Sequence, residues 1–237
     1  MPALTDKTVF ITGGGSGIGK ATAAALLDEG ANVFVLELSP ANIEAAQAEF
    51  GGPRVVFFKG DVRDEDSVRD AFAACESQFG AVDILINNAG LGIPTPDLAE
   101  TELGDYEKQL QVNARGVFLC SREALRIMKP RGSGHIVTLI SMAGQRTNPV
   151  APVYCASKFA ARGLSMGLAD QAIADGIRVT EVNPGPTNTN YWGDRDVPRQ
   201  KMLAPEDVAR VIRFAVTLPE NICVREVNFD SMAWLAR

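Results

Sequence analysis

The sequence predicts an α/β fold in which a parallel sheet of seven strands is doubly wound, with helices on both faces. Seven short apolar runs recur along the 237 residues, and each run except the last precedes a stretch whose apolar residues have helical spacing. The runs are apolar almost throughout, which is typical of strands buried on both faces of a parallel sheet. No linker-like shift in composition interrupts this pattern, so we expect a single domain over residues 1–237.

The strands are short because glycine, proline or polar residues end each apolar run after a few positions. They are predicted at Val9–Ile11, Val33–Leu36, Val55–Phe58, Ile84–Ile86, Ile136–Ile140, Val179–Val182 and Cys223–Phe229. The helices are predicted where apolar residues recur every three or four positions. They cover about Ile18–Leu27, Ile43–Phe50, Glu65–Phe79, Tyr106–Met128, Tyr154–Ala174 and Pro205–Val216.

Composition and charge exclude several classes of protein. Apolar residues make up 46% and charged residues 22%, the mix of an ordinary globular protein rather than a disordered or fibrous one. The net charge is −6, the pI is about 4.9 and no run of Lys and Arg occurs, so we expect no nucleic-acid partner. No apolar stretch approaches the ~20 residues that span a bilayer. The N-terminus also lacks the pattern of a signal peptide, so we expect no membrane partner and a cytoplasmic location.

The cysteines and the histidine are not predicted to form a metal site, a disulfide framework or a catalytic site. Cys75, Cys120, Cys155 and Cys223 are far apart and form no CxxC pair, so we expect reduced thiols without a metal site or a disulfide framework. The single histidine, His135, begins an apolar run, where histidine is more typical of strand entry than of catalysis. A serine-hydrolase mechanism, which needs a histidine base, is therefore disfavoured.

A glycine-rich turn, TGGGSGIG at residues 12–19, lies between the first strand and the first helix. Glycines permit a tight turn and let the backbone approach a pyrophosphate, which then faces free N–H groups at the helix N-terminus. A merely flexible loop would also be rich in glycine, but the strand before and the helix after favour dinucleotide binding. The candidate residues of this turn are Gly13, Ser16, Gly17, Ile18 and Gly19.

Acidic residues at two strand ends bear on the identity of the nucleotide. Glu37 ends the second strand, where a carboxylate would hydrogen-bond an adenosine ribose and repel a 2′-phosphate. No Arg or Lys lies in the turn or directly after Glu37, so we expect NAD rather than NADP, unless Glu37 is only a solvated strand end. Asp61 and Val62 follow the third strand, where an adenine ring would rest. An aspartate that caps the helix before Glu65 is an equal alternative.

The strongest catalytic candidates open a predicted helix. Tyr154 and Lys158 are four residues apart, so both project from one helical face. A lysine ammonium beside a phenol lowers the pKa of the phenol by stabilising the phenolate, and an oxidised nicotinamide would add further positive charge. The phenol could then exchange a proton with an alcohol or a carbonyl. Taken alone, this spacing would more often be a buried tyrosine and a surface lysine.

Further polar residues lie at the edge of the sheet where ligands bind. Ser141 ends the strand before Tyr154, and its hydroxyl could hold the oxygen of a substrate. Asn113 falls within a predicted helix, where asparagine is mildly unfavourable and therefore needs a reason. The other candidates, which follow the fourth and sixth strands, are Asn87, Ala89, Gly90, Pro184, Gly185, Thr187 and Thr189.

In this order and spacing the motifs resemble those of the short-chain dehydrogenases/reductases, from about Thr8 to about Thr189. The resemblance is carried by TGGGSGIG at 12–19, NNAG at 87–90, Asn113, Ser141, YCASK at 154–158 and NPGPTNT at 183–189. It implies a Rossmann fold with seven parallel strands and an NAD(P)-linked reaction on a small alcohol or ketone. It also implies a homodimer or homotetramer packed through the helices at about 106–128 and 154–174.

The resemblance further implies a role for each candidate residue. Tyr154 would be the general acid/base, Lys158 would lower its pKa and hold the nicotinamide ribose, and Ser141 would orient the substrate oxygen. Asn113 would keep a water and Lys158 in a proton relay. The remaining positions divide along the cofactor: Ile18, Glu37 and Asp61 at the adenosine, Asn87, Ala89 and Gly90 at the middle, and Pro184–Thr189 over the nicotinamide.

The C-terminal part departs from the pattern of this family. The last strand leads into Asp230-Ser231-Met232 without a glycine, which puts the usual C-terminal tetramer contact in doubt. The substrate lid, at about 187–204, is short, so the pocket would be open or completed by a neighbouring chain. Five lid residues could clamp an apolar substrate or receive a carboxylate, although alternation with Asp194 and Asp196 favours a solvated face for the basic ones. They are Tyr191, Trp192, Arg195, Arg199 and Lys201.

Three functions follow in order of preference. The first is an NAD-dependent oxidoreductase that interconverts a secondary alcohol and its ketone, with Tyr154 as general acid/base. The second is an NADPH-dependent carbonyl reductase with the same residues. The third is a dinucleotide-sensing protein without chemistry, which is disfavoured because such proteins usually lose the tyrosine or the lysine, and both are present here.

Overall fold

The computed structural model describes residues 3–95 and 97–236, and it confirms the predicted sheet. The seven strands are all parallel and lie in the order β3-β2-β1-β4-β5-β6-β7. Their bounds are β1 Thr8–Thr12, β2 Asn32–Glu37, β3 Val55–Lys59, β4 Ile84–Asn87, β5 Gly134–Leu139, β6 Ile177–Pro184 and β7 Glu226–Phe229. The α-helices are α1 Gly17–Asp28, α2 Pro40–Phe50, α3 Glu65–Phe79, α4 Leu103–Leu110, α5 Gly116–Met128, α6 Pro152–Ala172, α7 Pro205–Thr217 and α8 Met232–Leu235.

The five central strands are buried on both faces, as their composition predicts, whereas the edge strands β3 and β7 are partly exposed. In β1, Val9 and Ile11 belong to a core shared with α1 and α7, whereas Phe10 belongs to a second core shared with α3 and α5. Phe10 stacks on Phe72 of α3 with ring centroids 4.1 Å apart. Because successive side chains of a strand point to opposite faces, the sheet separates two helical layers.

The strand order reverses between β1 and β4, and this reversal locates the site. β1 pairs with β2 on one side and with β4 on the other, so the connections that leave β1 and β4 run in opposite directions. A crevice then opens at the carboxyl ends of the strands, which is where open α/β sheets bind ligands.

Most element ends differ from the sequence prediction by a few residues, and two of the differences have a clear structural cause. The helix expected over Tyr106–Met128 is divided, because a π-helical turn at Gln111–Arg115 separates α4 from α5. The last strand begins at Glu226 rather than Cys223, since the carbonyl of Val224 accepts the Thr180 hydroxyl at 2.6 Å instead of a ladder hydrogen bond.

His135 lies in β5, as predicted for a strand-entry residue. Its ring is buried, and its Nε2 is 2.8 Å from the Thr180 hydroxyl. Burial, with a small contribution from Arg178, lowers the pKa of His135 to about 3, so the imidazole is neutral. The ring therefore packs and hydrogen-bonds within the core.

Candidate active site

A single large cavity of about 1030 Å³ occupies the crevice at the carboxyl ends of the strands. Most of the predicted site residues line it, and they come from the ends of β1 to β6. Those in its wall are Gly13, Ser16, Gly17, Ile18, Glu37, Asp61, Val62, Ala89, Gly90, Ser141, Tyr154, Lys158, Pro184, Gly185, Thr187 and Thr189. Gly19, Asn87 and Asn113 are not in the wall, and each instead supports a segment that is.

The glycine-rich turn is a close-packed backbone cradle. Gly13 has a φ of +66°, which favours glycine, and a Cβ on it would lie 3.0 Å from the Cα of Ala89. A Cβ on Gly19 would collide with the Gly13 carbonyl, so Gly19 lets the first turn of α1 approach the loop. The structure thus leaves backbone, not side chains, facing the cavity, which is the surface that a pyrophosphate needs.

Glu37 lies at one end of the cavity and holds the turn. The residue is 6% exposed; its Oε2 accepts the Gly15 N–H at 3.0 Å and its Oε1 accepts the Ser39 N–H at 3.0 Å. Glu37 is therefore not a solvated strand end, and that alternative is wrong. A buried carboxylate in the wall opposes a second anion beside it.

Asp61 is engaged by a residue that the sequence analysis overlooked. Arg63 donates from Nε and Nη2 to the Asp61 carboxylate, at 2.9 and 2.6 Å, and also lines the cavity. Burial alone would raise the pKa of Asp61, but the hydrogen bonds and charge of Arg63 hold it below its ordinary value. The alternative that Asp61 caps the next helix is wrong, because Asp64 accepts the N–H groups of Asp66 and Ser67 and caps α3.

The segment after β4 is fastened to the glycine-rich turn. Asn88 donates from Nδ2 to the carbonyls of Thr12 and Gly13, both at 2.9 Å, while the Thr12 hydroxyl accepts the N–H groups of Asn88 and Ala89 at 3.0 Å. Asn87, expected at the cofactor, instead donates to the Ser121 hydroxyl at 3.0 Å within the core. Asn88, the second asparagine of the NNAG motif, also lines the cavity, and the sequence analysis did not identify it as a site residue.

Ser141 and Tyr154 form the centre of the site. Ser141 has a φ of 143°, an unusual conformation for a residue with a side chain, and its Oγ accepts the Ala143 N–H at 3.1 Å. Its hydroxyl also faces the Tyr154 phenol, where it favours the ionised form and lowers the pKa of that phenol. The pair presents two hydroxyl groups at one point of the cavity wall, as required to hold a single substrate oxygen.

Lys158 lies behind this pair and is almost fully buried. Its Nζ donates to the Leu139 carbonyl at 2.9 Å and is 6.0 Å from the centroid of the Tyr154 ring. Burial lowers the pKa of Lys158 to about 8, so the ammonium loses its proton only slightly above neutral pH. The expectation of a surface lysine on an ordinary helix is excluded, since the residue is 4% exposed and lines the cavity.

The expected lowering of the Tyr154 pKa is not found in the protein alone. Burial raises that pKa well above its ordinary value, Tyr191 raises it further, and the Ser141 hydroxyl only partly opposes them. Lys158 does not offset the burial, because its ammonium is itself desolvated and lies beyond hydrogen-bond distance of the ring. Additional positive charge is needed before the phenolate becomes accessible near neutral pH.

Asn113 is a positioning residue of the π-helical turn. Its Nδ2 donates to the Leu91 carbonyl at 2.7 Å and to the Ser157 hydroxyl at 2.8 Å, and its Oδ1 accepts the Leu91 N–H at 2.8 Å. The side chain thus joins the loop after β4 to Ser157 of α6, the residue that precedes Lys158 in the sequence. The proton relay expected at Asn113 stays a prediction, and these hydrogen bonds show only how the side chain is held.

The lid, residues 187–204, folds onto the catalytic residues and does not leave the pocket open on that side. Its Tyr191 ring lies 5.5 Å from the Tyr154 ring, with the two ring planes tilted by 50°. Trp192 anchors the lid by donating from Nε1 to the Thr187 carbonyl at 2.8 Å. The alternation with aspartates favoured a solvated face for Arg195. The residue is instead only partly exposed, lines the cavity and stacks on both aromatic rings.

Neither a membrane-spanning helix nor a metal cluster is found in the described part of the chain. None of the helices in residues 3–95 and 97–236 combines the length and apolar character of a bilayer crossing. The same residues contain no group of three or more His, Cys, Asp or Glu side chains that could hold a metal ion.

Comparison with known proteins points to one family. The family described as short chain dehydrogenase matches residues 7–199. An uncharacterized oxidoreductase of Staphylococcus saprophyticus subsp. saprophyticus is 32% identical over 237 residues, covering 95% of this chain and 96% of that protein.

Two solved structures show how far the likeness extends. An alcohol dehydrogenase from the archaeon Thermococcus sibiricus, complexed with 5-hydroxy-NADP, has a TM-score of 0.88 and 28% identity, over 96% of this chain and 97% of that one. A 3-ketoacyl-(acyl-carrier-protein) reductase from Brucella melitensis, complexed with NADH, has a TM-score of 0.90 and 27% identity, over 97% and 98%.

Proposed function

The chain belongs to the short-chain dehydrogenase family, and from this premise we propose that it is an NAD-dependent oxidoreductase interconverting a secondary alcohol and its ketone. The observation that carries the proposal is the grouping of Ser141, Tyr154 and Lys158 in the wall of the same cavity as the glycine-rich turn. A proton-transfer group and a dinucleotide cradle in one cavity fit the transfer of a hydride and a proton.

The residues divide the work of alcohol oxidation. The Ser141 hydroxyl would donate a hydrogen bond to the substrate oxygen, and the Tyr154 phenolate would remove the hydroxyl proton. Bound NAD would supply the hydride acceptor for the alcohol carbon and a positive ring close to Tyr154. Lys158, whose pKa of about 8 keeps it largely charged at neutral pH, would favour the phenolate electrostatically. In the reverse direction Tyr154 would return the proton to the carbonyl oxygen.

The preference for NAD rests on Glu37. Its carboxylate lines the cavity, is 6% exposed and is fixed by two backbone N–H groups, so it would accept the ribose hydroxyls and repel a 2′-phosphate. Pro184, Gly185, Thr187 and Thr189, which also line the cavity, would cover the nicotinamide.

A second candidate is an NADPH-dependent carbonyl reductase. Arg63 lines the cavity and could meet a phosphate, and the Thermococcus protein was solved with 5-hydroxy-NADP. We prefer NAD because the Arg63 guanidinium already binds the Asp61 carboxylate through both Nε and Nη2. A sensor without chemistry has no comparable support, because the tyrosine and the lysine both line the cavity.

The setting of the protein is also part of the proposal. We expect a cytoplasmic location, which is supported by four free cysteines, among them Cys75 and Cys120, whose pKa burial raises to about 12. We also expect a homodimer or homotetramer. Exposed Phe118 of α5, with Phe159 and Met166 of α6, supports an interface on these helices.

The test is NADH formation from NAD over a panel of neutral secondary alcohols and hydroxy acids. Turnover by the wild-type protein with NAD, and at least about tenfold less with NADP, would support the proposal. Turnover only with NADP would favour the reductase. No turnover on any substrate, with NADH binding intact, would reject the enzymatic proposal in favour of a sensor.

A further inference from the structure

Three residues of the lid form a compact cluster beside the catalytic tyrosine. The Arg195 guanidinium lies 4.8 Å from the centroid of Tyr191 and 5.1 Å from that of Trp192, and the two rings meet edge to face. Tyr191 in turn contacts the Tyr154 ring, with centroids 5.5 Å apart. Arg195 is therefore separated from the reacting position by one aromatic ring. We call Tyr191, Trp192 and Arg195 the lid cluster.

Space for the lid cluster is provided by the loop after β4. Gly92 lies against the Tyr191 phenol, and a Cβ on this residue would collide with the ring and its hydroxyl. Tyr191 is partly buried, and burial raises its pKa, while Arg195 opposes that shift. The phenol is therefore neutral at ordinary pH and adds no negative charge that would satisfy Arg195.

Arg195 retains binding capacity that the lid does not use. Its Nε donates to the Trp192 carbonyl at 2.8 Å and its Nη2 donates to the Tyr191 carbonyl, whereas Nη1 donates to no other described residue. Within the described residues, no carboxylate lies at ion-pair distance, and the neighbouring Asp194 and Asp196 are exposed. A half-buried guanidinium in a cavity wall, without a carboxylate partner, is suited to an anionic ligand.

The charge of the cavity wall is unevenly distributed. Its only carboxylates in the described part of the chain are Glu37 and Asp61, at the ends of β2 and β3. Apart from Arg63, which pairs with Asp61, the other charged residues of the wall are cations: Lys108 and Arg146, which pair with Asp105 and Asp230 outside the wall, and Lys158 and Arg195, which have no carboxylate partner at ion-pair distance among the described residues. This is a positive region on a protein of net charge −6, and such a region attracts anionic substrates.

Resting on the proposed function, we propose that the substrate is a hydroxy acid, or the corresponding keto acid, whose carboxylate is bound by Arg195. The alcohol oxygen would meet Ser141 and Tyr154, and a carboxylate two or more carbons away from the alcohol carbon would reach the Nη1 group of Arg195 past the edge of the Tyr191 ring. Arg146, an exposed residue of the wall 3.8 Å from Asp230, would add positive charge without direct contact. Arg195 is thus assigned as the residue that selects acids over neutral alcohols.

The test compares each acid with its neutral ester, using 3-hydroxybutanoate and 4-hydroxypentanoate with their methyl esters. Wild-type protein, Arg195→Met, Arg195→Lys and the exposed control Lys201→Met are assayed for NADH formation. We expect wild-type kcat/KM to favour an acid over its ester, and Arg195→Met to lower kcat/KM for the acid by about 10- to 100-fold and for the ester by less than about threefold. Arg195→Lys should retain part of the preference and Lys201→Met all of it.

Binding provides a readout that is independent of turnover. Calorimetric titration of butanoate into the protein saturated with NADH should show an affinity that falls about tenfold or more in Arg195→Met, whereas butanamide should bind both proteins alike. A structural role of Arg195 alone would lower the values for acid, ester and amide together.

The possible failures are distinguishable. An acid-to-ester ratio near one in the wild-type protein, or a ratio that Arg195→Met does not change, would overturn the inference and leave the proposed function in place. NADH formation from none of the acids, esters or neutral secondary alcohols would overturn the proposed function, and Arg195-independent binding of butanoate would then overturn the inference as well.

Discussion

Replacement of Glu37 by glutamine isolates the charge that we propose selects NAD. The carboxylate is 6% exposed, lies in the cavity wall and is fixed by the N–H groups of Gly15 and Ser39, each at 3.0 Å. Glutamine keeps the length of the side chain and one oxygen for the Gly15 N–H, while its NH2 group replaces the oxygen that accepts the Ser39 N–H, so the turn keeps its support and one hydrogen bond is lost with the charge. The substitution therefore removes a charge with little change of shape.

The expected magnitude follows from Coulomb's law. Two unit charges about 4 Å apart repel by about 4 kcal/mol at the effective dielectric constant of ~20 found near protein surfaces. Water and salt in an open cavity remove roughly half of this. A remaining ~2 kcal/mol corresponds to an increase in NADPH affinity of about 30-fold, while NADH affinity should change by less than about threefold.

The assay is a fluorescence titration of NADH and NADPH into wild-type protein, Glu37→Gln and Glu44→Gln. Glu44 is an exposed glutamate of α2 and controls for the loss of one negative charge from the surface. An NADPH affinity that stays poor and unchanged in Glu37→Gln would refute the assignment of Glu37 as the selector. A wild-type protein that already binds NADPH more tightly than NADH would refute the proposed NAD preference itself.

Three further substitutions have definite expected outcomes. Lys158→Met should lower kcat and NADH affinity together, yet raise the free energy of unfolding at pH 7 by up to roughly 3 kcal/mol, because burial lowers the Lys158 pKa from 10.5 to about 8. Denaturant titrations should show that the stability gain of Lys158→Met shrinks between pH 8 and 10.5, because there the unfolded wild-type chain holds a proton that the folded chain has lost. A stability gain that grows with pH would contradict this prediction. Ser141→Ala should lower kcat, measured by steady-state kinetics, about 100-fold while NADH affinity is retained. An unchanged kcat would show that Ser141 has no role in the reaction. Gly92→Ala should displace Tyr191, raise KM several-fold and increase limited proteolysis within residues 187–204; an unchanged KM would show that Tyr191 does not contact the substrate.

Much of the fold could be predicted because its signals are local in the sequence. Each strand is a continuous apolar run, and each such run in a parallel sheet carries its ligand-binding residues at its carboxyl end. For this reason Glu37, Asp61, Ser141 and the turn containing Gly13 were assigned to one edge, where the structure places them in one cavity. The resemblance to a family added the order of the motifs, which composition and periodicity do not provide.

The features that escaped prediction depend on contacts between distant segments. Arg63 appears as an ordinary charged residue until the Asp61 carboxylate is seen to accept both of its donors. The approach of Tyr191 to Tyr154 depends on the missing side chain of Gly92, 99 positions before Tyr191 in the chain. Spacing placed Lys158 near Tyr154, but only the packing of α6 shows that burial outweighs the effect of this lysine on the phenol.

The most direct measurement is turnover by Tyr154→Phe on the best substrate of the panel, beside Tyr106→Phe as a matched control. Tyr106 is 43% exposed and lies outside the cavity, so its phenol tests the loss of a hydroxyl elsewhere. Because phenylalanine cannot transfer a proton, we expect Tyr154→Phe to lower kcat by about 1000-fold or more while the NADH dissociation constant stays within about threefold, with Tyr106→Phe unchanged. Turnover preserved in Tyr154→Phe would contradict the account.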